Sequence, residues 1–138
     1  MKDLIEKLKK SGAVIVTGGR ADAHHNIDAR KYLAEEGMAV FPDEYFSLVK
    51  YSNGLKSDKA EIYAVIPFGG NKNLRDAVRM NENLDRDDYE TVCVLGETDF
   101  DYLVYDCQSR RYQLRDKIKD NAVASFETIV QAVDYMFA

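Results

Sequence analysis

Tryptophan is absent, cysteine and proline occur only twice each, and no apolar run approaches the ~18–20 residues of a membrane span. Two cysteines cannot build a disulfide framework. Cys93 sits inside the apolar run Val92-Cys93-Val94-Leu95, where a small buried hydrophobe is expected, so both thiols are read as reduced and unpaired. With only 2 prolines and 8 glycines, neither a fibrous repeat nor a disordered tail fits. Excess positive charge is also missing. Lys and Arg number 19 against 24 Asp and Glu, a net of −5, whereas a general phosphate-backbone binder needs clustered positive charge. Direct nucleic-acid binding and membrane attachment are therefore not expected. The acid excess suits a basic partner, and it is also the ordinary device that keeps a protein soluble.

What is present is one domain's worth of chain. The 138 residues, 46% hydrophobic and 11% aromatic, suffice for a single core that buries about 68–70% of the unfolded surface without a structural metal. The opening Met1-Lys2-Asp3-Leu4-Ile5-Glu6-Lys7 mixes acids with apolar residues and is read as no secretory signal, which makes the cytoplasm the expected compartment.

Periodicity supplies the elements. Leu4, Ile5 and Leu8 share one side of a helix over 3–11 that Ser11-Gly12 stops. Residues 13–17 read as a strand or an extended segment closed by Gly18-Gly19. Ile27, Ala29, Leu33 and Ala34 give a broad apolar stripe over 22–36, ended by Gly37. The clearest helix follows Pro42. Asp43 and Glu44 sit at its positive end, Tyr45, Leu48, Val49 and Ser52 recur at i, i+3, i+4 and i+7, and Asn53-Gly54 stops it. Residues 61–68 read as a strand, Leu74, Ala77, Val78 and Leu84 as a helix, and 91–95, 102–105 and 111–114 as antiparallel strands, the last pair joined by Asp106-Cys107-Gln108-Ser109. Ser125 is the expected cap of a closing helix with Phe126, Ile129, Val130, Val133 and Phe137 on one face. The sum is an α+β single domain over residues 1–138, with a mostly antiparallel sheet packed by N-terminal helices and a C-terminal helix.

Catalytic chemistry finds no constellation. His24-His25 are the only histidines, and adjacent helical residues point about 100° apart, so a solvated helix start is the preferred reading. Glu97, Asp99, Asp101 and Asp106 carry oxygens that suit Mg²⁺, but a turn beside an alternating strand exposes such acids anyway. Asp85-Arg86-Asp87-Asp88 begins like a calcium loop and fails where Tyr89 and Glu90 replace the next ligand and the glycine. Gly18-Gly19 and Gly69-Gly70 lack both the Lys-Ser/Thr of a phosphate loop and the three-glycine dinucleotide spacing. No serine stands in a glycine elbow. The tyrosines, Tyr45, Tyr51, Tyr63, Tyr89, Tyr102 and Tyr105 among them, serve cores or interfaces, with the core preferred. No catalytic residue, cofactor or metal is expected.

The succession of elements resembles the SUKH superfamily, which includes a fungal cell-wall assembly regulator and many bacterial immunity proteins. The residues that carry the resemblance are the helix from Asn26 to Gly37, then Phe41-Pro42-Asp43-Glu44-Tyr45 leading through Phe46, Leu48 and Tyr51 to Asn53-Gly54. Val94-Leu95-Gly96, Tyr102-Leu103-Val104-Tyr105-Asp106 and Ala124-Ser125-Phe126 complete it, over residues 26–138. Residues 13–20 and 71–88 depart from the family pattern. The resemblance implies a non-enzymatic protein-binding module, foremost an immunity protein that neutralises a basic toxin domain of the nuclease or deaminase class. The alternative is a regulatory scaffold for endogenous partners.

For such a partner, Glu97, Asp99, Phe100, Asp101 and Tyr102 are the expected binding residues. The loop 96–101 would join two antiparallel strands, with Phe100 and Tyr102 as anchors inside a ring of acids. The acids Asp85, Asp87, Asp88 and Glu90 would enter from the opposite end of the sheet, on a separate surface.

Overall fold

The computed structural model describes residues 1–11, 15–16, 23–65 and 74–138. Its elements run α1 (Lys2–Ser11), β1 (Ile15–Val16), α2 (Ala23–Glu35), α3 (Asp43–Tyr51), β2 (Leu55–Lys56), β3 (Ala60–Ile62), α4 (Ala77–Asn83), β4 (Val92–Thr98), β5 (Asp101–Asp106), β6 (Arg111–Asp116), β7 (Ala122–Phe126) and α5 (Ile129–Met136). The strands form one sheet in chain order from β1 to β7, each neighbour antiparallel. This is the α+β single domain expected from the sequence. The Gly18-Gly19 and Gly69-Gly70 turns lie outside the described residues; the strand expected over 61–68 is instead Ala60–Ile62 and stops within them, as the Val65 N–H and carbonyl pair with the Asn53 side chain rather than with a strand.

α3 anchors the core. Tyr45, Leu48, Val49 and Ser52 are all fully buried, as their spacing predicts, and Phe41, Tyr45 and Phe46 pack ring against ring at 5.2–6.0 Å. Pro42 caps the helix in extended conformation, and Gly54, at φ +101°, turns the chain into β2 in a region that favours glycine. Glu44 ties α3 to the later elements: one of its carboxylate oxygens accepts from the Tyr112 hydroxyl of β6 at 2.9 Å and from the Ile129 N–H at 3.3 Å. Gly96 is required by close approach, since a Cβ there would stand 2.4 Å from the Glu61 carbonyl of the neighbouring strand.

Three further elements differ from expectation. Of the stripe expected on α2, Ala29 and Leu33 are buried, but Ile27 is 60% exposed and Ala34 is exposed as well, because the helix is rotated so that Asn26 takes the first core position. The closing helix begins at Ile129, not beside Ser125. Thr128 caps it in a capping box with Gln131, while Ser125 and Phe126 belong to β7 and pair with β6. β2 is a two-residue strand that the sequence reading passed over. Cys93 is buried and Cys107 half-buried, both free. Burial pushes the thiol pKa up at each, and more strongly at Cys93.

The two hairpin turns around β6 share one device. Asp106 Oδ1 accepts the Gln108 and Ser109 N–H groups at 2.9 and 3.4 Å before Arg110 takes φ +58°, and Asp116 Oδ1 accepts the Ile118 and Lys119 N–H groups at 2.8 Å before Asp120 takes φ +56°. Those backbone donors hold the Asp116 carboxyl below the ordinary aspartate range.

Leu48→Ala is expected to lower unfolding free energy by about 2–5 kcal/mol through lost burial and a residual cavity. Denaturant titration measures this, and a loss below about 0.5 kcal/mol would misplace the core face of α3.

Candidate functional site

Residues directly opposite one another in an antiparallel sheet share a face. The registers Lys56↔Glu61, Glu61↔Glu97, Glu97↔Tyr102 and Tyr102↔Arg115 therefore set these five side chains in one row across β2 to β6. Glu61 is only 4% exposed. Its carboxylate accepts from the Arg75 N–H at 2.8 Å and from Arg75 Nη1 at 3.1 Å, with Lys56 Nζ at 3.8 Å. Glu97 receives Arg75 Nη1 at 3.0 Å, the Tyr63 hydroxyl at 2.8 Å and Lys117 Nζ at 2.6 Å. This is a closed alternation of acid and base, in which each carboxylate is neutralised in place.

Glu97 is thereby removed from the expected binding set as a free acid. It lies in β4, not in a loop, and its side chain is 16% exposed. Burial pushes its pKa up, but the hydrogen bonds from Lys117 and Tyr63 and the charges of Lys117 and Arg75 outweigh burial and hold it below the ordinary glutamate value. The connection between β4 and β5 is just Asp99-Phe100, with the Asp101 N–H closing on Thr98 Oγ1 at 3.1 Å.

The other expected residues do gather. Asp99 and Phe100 are exposed at the hairpin tip, and Asp101 and Tyr102 are half-buried at its base. A residue that sequence reasoning missed joins them. Ile118, in the β6–β7 turn, is 94% exposed, and Phe100 is 79% exposed, the two largest exposures among the big hydrophobic side chains of the described residues. Lys117 welds their tips: its N–H donates to the Phe100 carbonyl at 2.9 Å, while its Nζ reaches Glu97 and lies 5.0 Å from the centre of the Tyr102 ring. The signal that could have found Ile118 is an isoleucine two residues past an aspartate that repeats Asp106 ten positions on.

The second acidic cluster is not on an opposite surface. Asp88 reaches Arg115 of β6 at 2.8 Å and Arg86 at 3.6 Å, so the segment before β4 folds back beside the same hairpins. Asp85, Asp87, Tyr102, Asp116, Ile118 and Asp120 help to line one cleft of ≈ 570 Å³. Asp88 is engaged with arginine; Asp85 and Asp87 stay exposed on the rim.

Neither a protein-family model nor a curated protein sequence matches the chain. Its function must be read from its own geometry. Among the described residues His24 pairs with Asp28, at 3.2 Å and largely exposed. Among the described residues no group of three or more His, Cys, Asp or Glu is placed to hold a metal ion, and no helix is long and apolar enough to cross a membrane. What the tip can do chemically is present two apolar side chains within a rim of carboxylates.

Because the Glu97 pKa is lowered by folding, its contribution to stability is fully present above the ordinary glutamate range and lost as pH falls through the lower folded value. The unfolding midpoints of the wild type and Glu97→Gln are expected to differ most near neutral pH and to converge as pH falls through the lowered folded value. A difference that stays constant across that range would show that the charge of Glu97 contributes nothing.

Proposed function

We propose that this protein is a non-enzymatic binding module whose hairpin tips hold a basic protein partner. The observation that carries this reading is the pairing of Phe100 and Ile118, 79% and 94% exposed on tips fastened by Lys117, with Asp99, Asp101, Asp116 and Asp120 in the same two hairpin ends. Large apolar side chains left in water on a rigid support are what an interface core requires, and the surrounding carboxylates speed encounter with a basic surface. The resemblance to the SUKH superfamily supports the narrower reading that the partner is a toxin domain, neutralised by occupation. A nuclease or deaminase partner is basic because it grips phosphates, and the acid rim would compete for that charge. Two free cysteines fit action inside the cell, where thiols stay reduced.

The experiment starts by capturing partners from the source cell in parallel on the wild type and on Phe100→Ser/Ile118→Ser. The protein retained only by the wild type is then expressed with and without this chain. The expected result is growth arrest that the wild type relieves and the double variant does not. With that partner purified, Phe100→Ser is expected to weaken binding by about 30-fold, a hot-spot loss of about 2 kcal/mol. Asp99→Asn/Asp101→Asn/Asp120→Asn is expected to slow association by about tenfold at low salt and to flatten its salt dependence, with the fold intact. A harmless partner would favour the scaffold role. Unchanged rates in both variants would move the interface away from the tips.

A further inference from the structure

The hairpin tip has a counterpart on the same chain. Between α1 and the last turn of α3 lies a groove of ≈ 320 Å³ lined by Lys2, Ile5, Glu6, Lys9, Lys50 and Tyr51. Ile5 is buried beneath it and Tyr51 is 44% exposed beside it, and the lysine stems add apolar lining while their ammonium groups stay in water. Lys7, on the same helix, is held by Asp134 at 2.6 Å, whereas Lys2, Lys9 and Lys50 engage no carboxylate among the described residues. Three lysines against Glu6 leave the groove at a net of +2, on a chain whose own net is −5. The tip is its complement in shape and in sign. Phe100 and Ile118 project, 79% and 94% exposed, so the chain does not fill its own groove. Asp99, Asp101, Asp116 and Asp120 accompany them, opposed by Lys119, since Lys117 is held by Glu97; four aspartates against that lysine leave a net of −3.

We infer that the groove between α1 and α3 seats the hairpin tip of a second copy of this chain. For the tip's half of the contact this rests on the binding role proposed above. Charge selects the pairing. Tip against tip sets −3 against −3, and groove against groove sets +2 against +2, like against like in both. Tip in groove alone brings opposite signs around apolar side chains on both sides. The contact joins two different patches, so it either repeats from copy to copy or closes on itself. It also regulates the tip. A basic partner and a second copy exclude one another there, so the self-associated protein withholds its tips until the partner displaces the groove.

The test is sedimentation equilibrium of the full chain. At about 20 mM salt the mass is expected to rise with protein concentration, and at about 500 mM salt, where charges are screened within about 4 Å, to fall back towards the monomer. Lys2→Glu/Lys9→Glu/Lys50→Glu and Phe100→Ser/Ile118→Ser are each expected to weaken self-association by at least about tenfold. Mixed together, they are expected to restore a two-chain species that neither forms alone, because one keeps the tip and the other keeps the groove. A wild type that stays monomeric up to about 1 mM at low salt would overturn the inference. So would self-association that survives the lysine substitutions, or two variants, both folded by circular dichroism, that fail to complement each other. The lysine variant keeps its tip and is expected to capture the basic partner at least as well as the wild type. Loss of self-association without loss of that capture therefore separates this inference from the reading of the tip itself.

Discussion

After Tyr63, strand β3 leaves β4, and Val94, which faces Val104 of β5 on one side, has no β3 partner for its buried N–H and carbonyl on the other. Asn81 closes that gap. Its side chain accepts from the Val94 N–H at 2.8 Å and donates to the Val94 carbonyl at 2.8 Å, as a neighbouring peptide would. It also donates to Ala77 O and accepts from Arg86, so both donors and both acceptor sites of the amide are used. A hydrophobic side chain of the same size would leave two backbone groups and the Nη2 of Arg86 without that partner, and a buried polar group left unpaired costs about 1–3 kcal/mol. Asn53 performs the same operation on the departing strand, accepting from the Val65 N–H at 2.7 Å and donating to its carbonyl at 3.0 Å. Two carboxamides thus replace a ladder that the chain abandons, and the divergence they permit makes room for α4.

The binding surface depends on that divergence. With α4 fixed against β4, Arg86 reaches the next bare carbonyl, Val92 O, at 2.8 Å, and burial of its guanidinium lowers its pKa. Asp88 then bridges Arg86 and Arg115, which draws the following segment over the hairpins and puts Asp85 and Asp87 on the cleft beside Tyr102 and Ile118. The opposite side of the same divergence places Arg75 between Glu61 and Glu97, and Glu97 holds Lys117, whose backbone fastens the Phe100 tip. Exposed apolar side chains on loose loops would lose conformational freedom on binding; here the ordering cost is already met by the fold.

How much of this the sequence showed depended on whether a residue's chemistry agreed with its place in the period. α3 was legible because Tyr45, Leu48 and Val49 are apolar where the helix is buried, and the β4, β5 and β6 strands because their β-branched and aromatic residues cluster between turn signals. Asn26 and Asn81 were missed for the converse reason. Asn81 stands at i+7 from Leu74 in the stripe of Leu74, Ala77 and Val78, a core position held by a polar residue. At Asn81 that mismatch is a usable signal, since its buried amide answers backbone groups that need it. β7 was hidden because Phe126 continues the apolar period of α5 backwards across the strand boundary, while Thr128 and Gln131, at capping-box spacing, mark the true start. Of the expected site, Asp99, Phe100, Asp101 and Tyr102 come together and Glu97 does not serve as a free acid, because strand register, invisible in one sequence, brings Tyr63, Arg75 and Lys117 onto it.

Two of the rim acids are also the parts from which the tip is built. Asp116 organises the turn that displays Ile118, and Asp120 supplies the left-handed residue that returns the chain to β7. Their charge and their geometry answer to different requirements: asparagine would accept the same backbone donors and tolerate the same φ, yet carry no charge. Neutralisation by asparagine therefore separates the electrostatic part of the surface from the turn that holds it, whereas alanine would remove both at once. At Lys117 the two separate in the same way: its backbone N–H, which any residue but proline would keep, bonds Phe100, while its side chain alone supplies the charge on Glu97 and the cation over Tyr102. The bond that fastens the Phe100 tip and the neutrality of the sheet face behind it therefore meet at residue 117 through different atoms, and a neutral side chain there would unpair Glu97 while leaving the backbone bond in place.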